Sequence, residues 1–402
     1  MVRLFHLTVL FYLRSVHTAG VSSSINATLV YQIPYVDYDW PSDADRTSAI
    51  SNGDYVVENN LIAGLKVFGD TVYVTVPRWK NGVPSSLNTL VRNPGGDIIM
   101  QPFPSWDMNK KGDCSAIQYA QSMEIDPNTG FMWIIDTGRL NLFGSPENLC
   151  SPKIVILDIA TNSVVHAYEF PDNVVSSTSN FLNDIILDYV DGEARFAYIS
   201  DAAGDGKICV YDYAMDESYF FEDDSMKSGV ASSIAPVDGI AMSHDFLYVY
   251  YSPLGSLSLF AVPTSMLRDK TSDISGRVTT VGAKSSGSDG MMYGRRSLFY
   301  SGLDDDSVYK VTVESEGDYV SMATEERVIW DSEQVQWPDT FGFNGTDLWF
   351  VANKISQFQS KSMDFSGSDV NMYIWKLGVG EHGYLWHAAK RTSRGTETDI
   401  VG

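Results

Sequence analysis

Basic residues are scarce in this chain: 28 Lys and Arg stand against 51 Asp and Glu. Nucleic acid and anionic membrane surfaces both need a basic footprint, so this balance argues against either as a partner. It suits a cationic ligand or plain solubility. Long apolar runs are also missing. The run from Leu4 to Leu13 is too short to span a bilayer, and no other segment is long and apolar enough. Catalytic signatures are absent too: there is no G-x-S-x-G, no H-E-x-x-H and no phosphate-cradling glycine loop. The six histidines, at 6, 17, 166, 244, 382 and 387, are scattered. No nucleophile–base pair follows from their spacing, so no catalytic residue is assigned. Convincing long amphipathic helices are lacking as well.

What is present begins with a leader. Arg3 precedes the short apolar run, and the small residues Thr18, Ala19 and Gly20 follow. This pattern predicts a secretory signal over residues 1–20 and a secreted, extracellular protein without membrane insertion. Secretion makes two sequons relevant, at Asn26 and Asn344, as glycosylation sites. The three cysteines leave one unpaired within the chain. Cys114 and Cys150 flank one predicted hairpin and are expected to bridge, whereas Cys209 sits in the strand-like "KICVYDY" and reads as a buried thiol.

The stretch "QWPDTFGFNGTDLWFVAN" (Gln336–Asn353) reads as strand, tight turn and strand. Its shape recurs at Asn60–Val91, Gln121–Asn141, Asn183–Tyr213, Val237–Pro263 and Ser288–Val313. The second-strand aromatics Tyr73, Trp133, Tyr198, Tyr248, Phe299 and Trp349 are separated by 60, 65, 50, 51 and 50 residues. That period is long for a helical solenoid and close to that of a four-stranded propeller blade. One blade cannot bury both its faces alone, and radial stacking solves this while leaving few edges. An all-β, six-bladed propeller with a central channel is predicted over residues 60–377. Residues 21–59 partly complete a blade, and 378–402 form a tail.

Each repeat starts on a polar residue: Gln121, Asp184, Asp238, Asp289 and Asp339. In a propeller these starts converge on one mouth of the channel. A ring of Asp there can hold a hard cation such as calcium, pair with an ammonium group, or simply cap its own strands through backbone hydrogen bonds. No contiguous Asp-x-Asp-x-Asp loop supports calcium, so no cofactor or metal residue is assigned and a channel calcium ion stays an alternative. The charge run Leu303–Ser307 reads as a solvated turn.

Eight phrases in order carry a resemblance: "VPRWKNGVPSSL", "MWIIDTGR", "CSPKIVILDI", "FLNDIILD", "AYISDA", "YYSPLGS", "FAVPTSMLRD" and "WPDTFGF" with "LWFVAN". Together they resemble the yellow / major royal jelly protein family over about Asn60 to Leu377. The resemblance implies a secreted, often glycosylated six-bladed propeller linked to catecholamine–melanin pigmentation. Some members are described as dopachrome-converting, others as amine binders or nutritional proteins. It implies a small amine or catechol in the channel, with Asn353 matching a channel-facing Asn. Pro338 stands where an amine binder's Thr is expected, and Gln121, Asp238 and Ile355 replace aromatic lining. The expected ligand site is therefore Gln121, Asp184, Asp238, Asp339 and Asn353, in a polar and acidic mouth. A dopachrome-type isomerase, or a non-catalytic storage or interaction protein, are the alternatives.

Overall fold

The computed structural model describes residues 19–367 and 369–386. All but the last two residues of the predicted leader, and His387 with the rest of the tail, lie outside the described residues. Six antiparallel sheets follow one another along the chain, each a blade of four strands. Their innermost strands are Leu65–Phe68, Ala120–Asp126, Leu182–Val190, Val237–Met242, Met291–Tyr293 and Pro338–Asn344. Each packs on the next in cyclic order, and the last packs on the first, which closes a six-bladed propeller.

Closure uses the start of the described chain. Asn26–Ile33 forms the outer strand of the sixth blade, pairing with Met372–Gly378 from Asn26↔Gly378 to Ile33↔Met372. Gly20–Val21 adds a fifth strand to the fifth blade by pairing with Val320–Trp330. Pairing the first and last parts of a chain ties the ring shut and leaves fewer open edges.

The recurring aromatics fill the space between blades. Tyr73, Trp133, Tyr198 and Phe299 are buried. Tyr248 and Trp349 are half-buried, and Tyr250 and Phe350 beside them are fully buried. Rings of this size supply much of the apolar area that blade stacking removes from water. Cys114 and Cys150, 36 positions apart in sequence, form a disulfide around the second blade, and Cys209 is a free, buried thiol. Burial pushes the Cys209 thiol up. The run at Leu303–Ser307 departs from the solvated turn expected of it. Asp305 pairs with Arg327 at 3.1 Å, and Asp306 is buried with a left-handed φ of 52°. Asn26 is exposed, whereas Asn344 is half-buried and its amide donates to the Gly69 carbonyl at 3.0 Å.

Candidate functional site: the aspartate mouth of the channel

Four innermost strands begin with a break in register, between Ala120 and Met123, Leu182 and Ile185, Val237 and Ile240, and Pro338 and Thr340. Such bulges re-aim side chains that a regular strand would alternate between faces. Here they carry Gln121, Asp184, Asp238 and Asp339. The freed backbone donors are satisfied locally, since Asp184 N–H donates to Ser200 Oγ at 3.0 Å. The same device serves the fifth blade, where Asp289 N–H donates to Ser301 Oγ at 2.7 Å.

Neighbouring innermost strands approach very closely at this mouth. A Cβ at Gly239 would lie 2.1 Å from Asp289 O, and one at Gly290 would lie 2.0 Å from Asp339 O. Only glycine fits after Asp238 and after Asp289, and this tight spacing brings the carboxylates together.

The side chains form a linked arc. Tyr119 Oη donates to Gln121 Oε1 at 2.9 Å, and Gln121 Nε2 donates to Asn183 Oδ1 at 2.8 Å. Asn183 Nδ2 donates to Asp238. Asp238 and Asp289 lie close enough for each to bear on the other's proton, and Trp337 Nε1 donates to Asp289. Asn353 Nδ2 donates to Asp339 Oδ2 at 2.8 Å and to Ile62 O at 3.0 Å. Ser122 Oγ donates to Asp184 Oδ1 at 3.0 Å. Asp238 and Asp339 are buried, while Asp184 and Asp289 are half-buried.

These carboxylates hold on to protons. Burial raises Asp184 to about 6, against the opposing charge of Lys66. Burial also raises Asp289 to about 7, although hydrogen bonds from Trp337 and Asp238 hold it down. Asp238 is pushed well above the carboxylate range by burial and then by the charges of Asp289, Asp339 and Asp184. Asp339 is raised likewise, by burial and by Asp289. Among the described residues, no Lys or Arg forms an ion pair with any of the four.

All five sequence-predicted residues thus meet at one mouth. Asp289 belongs to the same cluster, and its place at a repeat start was the signal for it. Asn183, Tyr119 and Trp337 were not anticipated as site residues. Asn183 directly precedes Asp184, and the two-residue bulge is what lets both reach the channel. Among the described residues, no group of three His, Cys, Asp or Glu is arranged to hold a metal ion.

The opposite mouth differs. There Lys66 and Glu124 pair at 3.2 Å, both nearly fully buried. The segment around Tyr384 lies across the strand ends. Tyr384 Oη accepts from Leu187 N–H at 2.9 Å and reaches Glu124 at 3.5 Å. A cavity of about 240 Å³ lies under this segment.

Residues 120–383 match the family model described as major royal jelly protein. Protein yellow of Drosophila yakuba and that of Drosophila melanogaster are each 30% identical to the chain over 266 residues. Each match covers 60% of this chain and 48% of the relative, so the chain spans about half the length of these curated relatives. A solved luciferin-regenerating enzyme aligns with a TM-score of 0.48 and 13% identity, over 80% of this chain and 93% of that one. Likeness at that level carries no argument about activity.

Proposed function

The chain belongs to the major royal jelly protein family, and on that premise we propose that it is a secreted binding protein for a small biogenic-amine or catechol-type molecule. The ligand's ammonium group sits at the aspartate mouth of the channel. One observation carries this reading: Asp184, Asp238, Asp289 and Asp339 converge there with no ion-paired Lys or Arg among the described residues. Clustered carboxylates out of water either keep protons or recruit a cation. An ammonium among them takes over the role of the protons. The half-buried Asp184 and Asp289 give it a route from solvent. The link to catecholamine pigmentation follows the resemblance, and a channel calcium ion is the competing cation.

Secretion is supported by the disulfide, which persists in oxidising compartments. Glycosylation at Asn26 and Asn344 goes with it and is read by the mass lost on glycosidase treatment.

The test is calorimetry of dopamine and serotonin against wild type and the double variant Asp238→Asn/Asp339→Asn. Loss of two charges from the cluster should weaken binding by about tenfold or more, with circular dichroism unchanged. Equal affinity in the two proteins sinks the reading, and calcium titration in parallel identifies a metal site instead.

The neighbouring Asp238 and Asp289 carboxyls, both raised by burial, favour a second reading, proton transfer on a dopachrome-type substrate. A pair that shares a proton near neutral pH can accept one proton and return another. Turnover of dopachrome that Asp289→Asn abolishes while binding persists would support it, and no turnover by wild type would end it.

A further inference from the structure

We propose that the cavity at the opposite mouth is a second binding site, which takes a small uncharged ring compound bearing one hydroxyl or carbonyl oxygen. The site does not depend on the aspartate mouth. Its walls come from three sources. Phe68 and Ile125 lie at or next to the ends of the innermost strands of the first two blades, Met292 and Phe343 lie next to those ends in the fifth and sixth, and Leu385 and Trp386 lie over the top. The lining is largely apolar, and a dry apolar cavity of about 150 Å³ already admits a benzene ring. At about 240 Å³ this one has room for a ring with a substituent.

The polar end of the cavity sets the chemistry of the ligand. Lys66 lines it and is 5% exposed. Its ammonium donates to Glu124 Oε2 at 3.2 Å and to Phe341 O at 3.0 Å. An ammonium has three N–H donors, so one is left without a protein partner among the described residues. An unmade hydrogen bond at a buried charged group is costly. A ligand oxygen facing Lys66 removes that cost. The charge of the ligand is constrained as well. Lys66 and Glu124 neutralise each other, so a carboxylate would be repelled by Glu124 and an ammonium by Lys66. A neutral phenol satisfies both, accepting from Lys66 and keeping its own O–H for Glu124.

The covering segment is held at fixed points rather than laid loosely over the opening. His382 Nδ1 lies 2.8 Å from Gly345 O, Arg296 N–H donates to Glu381 at 2.7 Å, and Tyr384 is buried against Phe246. Trp386 stacks on His382 with ring centroids 4.2 Å apart and keeps 40% of its surface exposed. It is therefore a ring at the rim, placed to report on occupancy.

The experiment uses phenol, benzene and benzoate with the full chain. Crystals soaked in phenol should show the ring in this cavity with its oxygen on Lys66 Nζ. In solution, Trp386 fluorescence should respond to phenol, to benzene about tenfold more weakly, and not to benzoate. Lys66→Met should reduce phenol affinity to that of benzene. That variant strips Glu124 of its cation, so Ile125→Phe serves as a second variant. It keeps the ion pair, fills the cavity and should abolish binding of both rings. Phenol density only outside the cavity, or phenol affinity unchanged in Ile125→Phe, overturns the site. Equal affinity for phenol and benzene in wild type overturns the assigned ligand class.

Discussion

At one end of the channel Glu124 lies 3.2 Å from Lys66 and within reach of the Tyr384 hydroxyl, so its charge is balanced inside the protein. At the other end Asp184, Asp238, Asp289 and Asp339 face one another with hydrogen-bond donors but, among the described residues, no ion-paired cation. Both ends take carboxylates out of water. The first does so by pairing, which leaves no net charge for a cation to balance. The second does so by protonation, which leaves a valence that a cation can claim. A buried acid with its own base recruits no cation, and a buried acid without one is a candidate cation site.

Removing one carboxylate from each end should therefore have opposite consequences. Glu124→Gln leaves Lys66 as an uncompensated buried charge and should destabilise the fold by about 3–5 kcal/mol in denaturant unfolding. Equal stability of this variant and wild type would break the contrast. Next comes Tyr384→Phe, which deprives Leu187 N–H of its acceptor. The cost should be about 1–3 kcal/mol, read from the same unfolding curves. Asp238→Asn keeps the hydrogen bonds of the arc and replaces a carboxyl that burial and its neighbours already hold protonated. It should lie between neutral and about 2 kcal/mol more stable than wild type without ligand. A clear loss of stability would mean that Asp238 serves the fold.

The pH dependence sharpens the same point. Asp184 and Asp289 titrate at about 6 and about 7 in the folded chain, above the ordinary value of 3.8. The native state then binds more protons than the unfolded one between those limits. Stability from this source is full below about pH 4 and is lost as the pH rises through about 7. The difference in melting temperature between wild type and Asp289→Asn isolates it. Wild type should lose ground to the variant as the pH rises across that window, and parallel curves would count against a raised Asp289.

Much of the fold was legible because its unit repeats. An aromatic second strand every 50 to 65 residues marks the blades, and the polar residue before each first strand marks the mouth. Asp289 could be found that way. The bulges could not, since a one-residue slip leaves no trace in a short polar start, and so Asn183 went unassigned. Lys66 sits singly within the apolar "LKVF" and Glu124 alternates with Asp126 in "SMEID", and both look like ordinary strand alternation. Their meeting depends on blade order around the ring. Tyr384 reaches Leu187 across 197 residues, and no local pattern in "EHGYLW" announces such a contact.

The central claim is that protons and a cation compete for the aspartate mouth. It is tested most directly by titrating dopamine into the protein at pH 7 in two buffers of different ionisation enthalpy. Displacement of a carboxyl proton by the ammonium predicts an observed enthalpy that changes with the buffer, corresponding to roughly one proton released per ligand bound. Binding with the same enthalpy in both buffers would contradict it.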